Sequence, residues 1–336
     1  MRKIVSFLIF LALSCALFAQ QTATPRKGEG LDAFLRRNNI TSKEQKADFI
    51  ELNKKNLGPN NTLKLGVKYK LPTSGKSSST KTIGSVHKNS LFGSKYAEYT
   101  IESNKLNGAC FYLVCGHGGP DPGAIAKVDG KTLSEDEYAY DIVLRLARNM
   151  LSHGATVHII IQDAKDGIRD DKYLANSNRE TCMGSTIPLN QTQRLKQRAG
   201  KINELSKKSS EKYKRALFIH LDSRNRGHRV DVFFYHHPKS TQGKGLANTL
   251  KKTFDTKYKK HQPNRGYKGT VSDRNLYVLN NTNPVGVFIE LGNIQNAEDR
   301  KRFLDSDNRQ AVANHSNSGK STTQRQANLS LLRNPS

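Results

Sequence analysis

The segment Cys115-Gly-His-Gly-Gly-Pro-Asp-Pro-Gly-Ala124 places one histidine, His117, in a turn crowded with Gly and Pro, directly after the apolar run 109–114. A histidine in such a turn is held by backbone rather than by packing, so its imidazole can reach a ligand. Two further apolar runs end on a reactive group: 215–219 stops at His220, and 284–289 stops at Glu290. Between the first two, Glu135 opens a helical pattern. Two histidines and a carboxylate are a common ligand set for catalytic zinc, which keeps a fourth position open for water. Taken singly, each residue also fits a plainer role. A strand-end histidine can be a surface residue, and Glu290 can pair with an arginine such as Arg274.

The elements that must position these groups follow from hydrophobic periodicity. Strand-like runs cover 109–115, 156–161, 216–219, 230–235, 276–279 and 285–289, and helical patterns cover 135–151, 190–208, 243–258 and 297–312. This alternation predicts an α/β fold over residues 96–314, with a largely parallel sheet flanked by helices. Function in such sheets gathers at the carboxyl ends of the strands, and His117, His220 and Glu290 each fall at or just after one. The polar insert 163–190 is long for a connection at a strand end. A loop of that length is often functional, and disorder is the alternative.

The constellation resembles the zinc-dependent N-acetylmuramoyl-L-alanine amidases of the family 3 type, over roughly residues 105–312. Cys115-Gly-His-Gly-Gly-Pro-Asp-Pro-Gly-Ala124 looks like that family's first zinc motif, Phe218-Ile-His-Leu-Asp-Ser223 like its strand-end histidine, and Val287-Phe-Ile-Glu-Leu-Gly-Asn293 like the segment carrying its catalytic glutamate. The resemblance implies one Zn2+ held by His117, Glu135 and His220, with Glu290 as general acid/base. Glu137 competes with Glu135 for the carboxylate position. In the family, apolar residues follow the ligand at +4, +5, +7, +8 and +11. From Glu135 these are Ala139, Tyr140, Ile142, Val143 and Leu146, whereas Glu137 would place Asp141 and Arg145 there. Glu137 instead completes a capping box with Ser134. Asp121 and Asp222 are candidates to orient an imidazole. Arg194 and Arg198 share a helix face and are candidates for contacting substrate carboxylates, or for a solvated face. His153, His158, His236 and His237 receive no role. The basic loop Arg224-Asn-Arg-Gly-His-Arg229 departs from the family's usual pattern.

Upstream, residues 26–72 resemble a LysM module, the small strand–helix–helix–strand domain that binds N-acetylglucosamine-containing glycans. The matching features are a helix after Gly30, Leu52-Asn53 before a turn, and Leu65-Gly-Val-Lys-Tyr-Lys-Leu-Pro72. Leu31, Phe34 and Leu35 form the apolar face of the first helix, 49–53 opens a second, and 63–71 alternates as a strand. Residues 73–95, rich in Ser, Thr, Gly and Lys at their start, read as a flexible linker. Residues 1–19 read as a signal peptide: Arg2 and Lys3, then an apolar stretch too short for a spanning helix. The polar tail 315–336 reads as disordered.

Composition bounds the partners. The 336-residue chain carries a formal charge of +26 and no Trp, and its hydrophobic content is 35%. Its Lys/Arg clusters, 207–215 and 251–268, carry no RNA-recognition or helix-turn-helix signature, which argues against nucleic acid and for an anionic wall polymer. No segment after the signal could insert stably in a membrane. Cys110, Cys115 and Cys182 remain after signal removal, an odd set without a CxxC pair, which argues against a disulfide framework and a zinc–thiolate site. The expected partner is peptidoglycan, in the periplasm or at the cell surface, with the question of a protein activator left open. Two other readings stand beside an amidase: a wall-binding protein without activity, and a zinc peptidase of the stem peptide.

Overall fold

The chain, here as a computed structural model, is described over residues 22–38, 40, 43–72, 81–222, 229–264 and 266–314. The expected signal peptide, residues 73–80 of the expected linker, the basic loop up to residue 228 and the tail 315–336 lie outside the described residues, as does the side chain of Asp222. The chain divides into two compact units, 1–77 and 78–336.

In the first unit, strands Thr22–Ala23 and Tyr69–Lys70 pair antiparallel around helices Leu31–Arg37 and Lys43–Asn53. Phe34, Phe49 and Tyr69 meet with ring centroids 5.7 to 6.0 Å apart and form the centre of its core. Buried Asn53 locks the second helix to the closing strand: its side chain donates to the carbonyl of Lys70 and accepts from the Lys70 N–H, both at 2.8 Å. Two expectations need correction. Residues 49–53 end the second helix rather than open it, and only Tyr69–Lys70 of the alternating run 63–71 is a strand. The first strand lies ahead of residue 26, because a two-residue edge pair needs too little pattern to be read from sequence.

The second unit carries a six-stranded sheet. In chain order its strands are β1 (Ala109–Cys115), β2 (Thr156–Ile159), β3 (Tyr213–Asp222), β4 (Phe233–His236), β5 (Thr270–Asp273) and β6 (Val285–Asn293). Their spatial order is β5-β4-β6-β3-β1-β2, and every neighbouring pair is parallel except β4 with β6. Every residue of β1 is buried, as expected of a central strand covered on both faces. The flanking helices are α1 (Glu135–Ser152), α2 (Gln191–Lys208), α3 (Thr241–His261), α4 (Ala297–Leu304) and α5 (Ser306–Asn314). Helix α1 packs on β1, β2 and β3, and α3 on β4, β5 and β6. The expected largely parallel sheet flanked by helices is the fold observed.

Several boundaries differ from the sequence reading. Residues 277–281 form a short helix, not a strand, and the strand at 270–273 had no apolar signal because it is a largely exposed edge. The expected linker reaches too far: Val86–Lys88 pairs with Glu98–Thr100, and Phe92 is fully buried. The last helix is broken at Asp305 into α4 and α5. Its polar end is nonetheless anchored, since fully buried Arg309 donates to Asp141 at 2.7 Å and to the carbonyls of Arg169 and Asp171. The insert 163–190 is ordered: Ile161–Gln162, Thr181–Cys182 and Ser185–Thr186 form a small antiparallel sheet, and Ile168, Leu174, Cys182 and Ile187 are buried in the core. Among the described residues no helix is long and apolar enough to cross a membrane.

Candidate metal centre

Three strand ends and one helix start build the site. The register of β1 on β3 pairs Cys115 with Ile219, and the register of β3 on β6 pairs His220 with Glu290. Directly paired residues of parallel strands point to the same face, so His220 and Glu290 project together where the sheet ends. The ladder of β3 on β6 shifts between His220 and Asp222, which ends the regular pairing at the site.

His117 leaves the sheet in a tight turn. Its own φ is +59°, a left-handed conformation that costs energy outside glycine and must be imposed by its surroundings. Two glycines make room for the cluster. A Cβ on Gly116 would lie 2.3 Å from the ring of His220, and one on Gly123, at φ +69°, would lie 2.6 Å from the ring of His117 and 2.8 Å from Glu135.

Glu135 is the hub. It is almost fully buried at the first turn of α1, with one carboxylate oxygen 3.3 Å from His117 Nε2 and the other 3.0 Å from His220 Nδ1. The backbone N–H groups of Ala124 and Leu221 donate to it, each at 2.9 Å. Burial opposes its charge, but the hydrogen bonds from the two imidazoles prevail and hold its carboxyl well below the usual carboxylate range. The ligand atoms of His117, Glu135 and His220 all lie within 4.8 Å of one another. Phe288 stacks on the His220 ring at 4.2 Å.

A second layer orients the first. Asp121 accepts from His117 Nδ1 at 2.9 Å and is itself paired with Arg194 at 2.7 Å. Burial opposes protonation of His117, but Asp121 and Glu135 outweigh it and push the imidazole up to about 10. In return the hydrogen bond to His117 pulls Asp121 down to about 2. Burial lowers His220. The two imidazoles of the cluster are thus driven in opposite directions. Two imidazoles and one carboxylate, with Nδ1 of His117 held by a carboxylate and its Nε2 turned to the cluster, are a donor set that fits a zinc ion.

The structure brings His117, Glu135 and His220 together, places Glu290 beside His220 in register, and identifies Asp121 as the residue on His117. Glu137 faces elsewhere: it pairs with Arg169 at 2.8 Å and accepts from the Ser177 N–H at 2.6 Å. The expected capping box is absent, because Ser134 makes no side-chain cap bond and Glu137 is committed to the insert. The spacing argument against Glu137 also fails in its premise. Asp141 and Arg145 are buried, paired with each other at 2.8 Å.

Arg194 and Arg198 support the histidine loop from α2. Arg198 is buried, not part of a solvated face, and donates to the backbone carbonyl of His117. Sequence offered no sign of either contact, since their partners lie in a loop more than seventy residues away. Arg274 lies over the ring of Tyr235 at 5.2 Å. His158 stacks on Tyr112, and His153 bonds Ser103. Cys110, Cys115 and Cys182 are free and buried, and burial pushes their thiols up.

Residues 112–319 match the family model described as N-acetylmuramoyl-L-alanine amidase. Among solved structures, the chain is similar to an N-acetylmuramoyl-L-alanine amidase from Clostridium difficile 630, at 22% identity over 61% of this chain and 90% of that one, with a TM-score of 0.44. It is also similar to the catalytic domain of an N-acetylmuramoyl-L-alanine amidase from Bacillus (Paenibacillus) polymyxa, at 18% identity over 66% of this chain and 95% of that one, TM-score 0.44. A third is the N-acetylmuramyl-L-alanine amidase Ami1 from Mycobacterium smegmatis, at 15% identity over 62% and 93%, TM-score 0.43. No curated protein sequence matches the chain.

Proposed function

For a chain that belongs to the N-acetylmuramoyl-L-alanine amidase family, we propose zinc-dependent hydrolysis of the amide between N-acetylmuramic acid and L-alanine, by an exported enzyme of the periplasm or cell surface. The observation that carries the zinc reading is the meeting of two imidazoles on the buried carboxylate of Glu135, at 3.3 and 3.0 Å. His117, Glu135 and His220 would hold the ion, which supplies Lewis acidity at the scissile carbonyl.

The chain's own residues do the rest. Asp121, held ionised chiefly by its hydrogen bond to His117 and paired with Arg194, keeps the proton on His117 Nδ1, so that Nε2 is the nitrogen that would face the ion. Glu290 takes a proton from the attacking water as its oxygen bonds to the lactyl carbonyl carbon. As the carbon–nitrogen bond breaks, Glu290 returns that proton to the alanine nitrogen. The first unit is proposed to be a LysM-like module that binds peptidoglycan. Its reach along the wall raises the local concentration of scissile bonds. The cellular role that fits is wall remodelling or daughter-cell separation.

Digestion of purified sacculi by the full chain tests this reading. Mass spectrometry should find free stem peptides beginning with L-alanine and intact glycan strands. Activity should disappear with a chelator and return with zinc. Cuts inside the stem would instead identify a peptidase, and no release at all a binding protein.

A further inference from the structure

Helix α1 begins with three acidic residues in a row, and only Glu135 belongs to the centre described above. Asp136 and Glu137 turn to the insert, where Glu180 joins them. One carboxylate oxygen of each lies within 4.8 Å of the others, and all three residues are buried. The arginines nearby serve other carboxylates as well. Arg169 divides itself between Glu137 and Asp166, and Arg179 between Asp163 and Asp166. Glu180 is held by neutral donors, the Ser177 hydroxyl at 2.8 Å and the Gly119 N–H at 2.9 Å. Asp136 is 2% exposed. Its Oδ1 accepts from the Glu137 N–H at 2.9 Å and meets the Asn176 amide at 3.5 Å, while its Oδ2 has no hydrogen-bond partner among the described residues.

A buried carboxylate oxygen with no donor, beside two more carboxylates, costs several kcal/mol unless a proton or a cation reaches it. We propose that Asp136, Glu137 and Glu180 form a second cation site, for a hard divalent ion of calcium's size. Oxygen-only donors select such ions over zinc, which prefers nitrogen and sulfur. Oxygens that share one calcium ion at about 2.3–2.6 Å stand at most about 5 Å apart, which matches the observed grouping. The ion would tie the insert to the first turn of α1. Through Glu180 it would also fix Gly119, two residues from His117 in the same loop. This site is separate from the zinc centre and does not depend on the reaction assigned to it.

Calorimetric titration of the full, zinc-loaded chain with calcium chloride tests the proposal, with zinc content measured in parallel. One calcium should bind per chain with a Kd of about 0.1–1 mM, in the range of extracellular sites. Calcium should raise Tm. Asp136→Asn should weaken calcium binding at least about tenfold by removing one ligand charge, with zinc content unchanged. Glu180→Gln should do the same from the insert side. In the presence of calcium both variants should melt below the parent chain. No saturable calcium binding by the parent chain up to about 10 mM, ten times the weakest affinity expected of such a site, would overturn the proposal. So would an Asp136→Asn chain that melts above the parent in calcium, which would show that a proton rather than a cation satisfies this carboxylate. Should Asp136→Asn fail to fold, the parent titration and Glu180→Gln still decide.

Discussion

Glu135 and Asp136 are neighbours on the first turn of α1, equally buried, and their surroundings treat them in opposite ways. Glu135 faces two imidazoles and two backbone N–H groups, and its carboxyl is driven down. For Asp136 burial comes first, then the charges of Glu137 and Glu180, and together they push it up to about 8. Burial alone therefore does not decide the charge of a carboxylate. The groups facing it decide the direction, and most of them come from other segments: strand ends for one, the neighbouring Glu137 and the insert for the other. One helix start thus anchors two clusters of different chemistry, nitrogen-rich on one side and oxygen-only on the other.

The strongest way to break this contrast is to remove the nitrogen side. A His117→Ala, His220→Ala chain should lose its zinc, from about one ion per chain to none by metal analysis. Full zinc occupancy in that variant would refute the assignment. Next comes Glu290→Ala, expected to fold and keep zinc while turnover falls about a hundredfold or more, since a positioned proton carrier is gone. Loss of zinc with it would make Glu290 a ligand instead.

The two glutamates sharpen the comparison further. Glu135→Gln should lose zinc. Glu137→Gln should retain it but lower stability by about 3 kcal/mol in denaturant unfolding, because it breaks a buried pair with Arg169. The reverse pattern would exchange their roles. Asp121→Asn should weaken zinc binding about 10- to 100-fold without abolishing it, as expected for a residue that orients a ligand. The smallest effect on chemistry should come from deleting residues 1–77. Turnover of a soluble muropeptide should be unchanged, while retention on insoluble peptidoglycan in a pull-down should fall to that of a control domain.

Much of the centre was legible because it sits where pattern and punctuation coincide. An apolar run that stops at His, or at a Gly-Pro turn holding His, marks the approach to a strand end without any knowledge of the fold, although β3 and β6 run on to Asp222 and Asn293. Glu135, not Glu137, lies between the two imidazoles, yet the spacing argument that separated the two glutamates does not survive intact. Asp141 and Arg145 looked unfit for a core, and they are in it, because Arg309 from the last helix arrives to complete an ion cluster. The edge strand at 270–273 and the helix at 277–281 were misread for a related reason. Edge strands carry little apolar signal, and a short apolar run does not distinguish helix from strand.

What the amino-acid order determined by itself was local: the start of α1 at Glu135, the turn glycines and the alternation that makes an α/β sheet. Those depend on residues a few positions apart, through φ/ψ preference and periodicity. What only the tertiary structure decided was which charges meet. Arg194 on Asp121, Arg198 on the His117 carbonyl, and Glu180 beside Asp136 all join segments more than forty residues apart. Coulombic and hydrogen-bond energies depend on distances of a few ångströms between such groups. Chain spacing does not encode those distances, so the partners, and with them the protonation of each buried carboxylate, appear only once the sheet has brought the loops together.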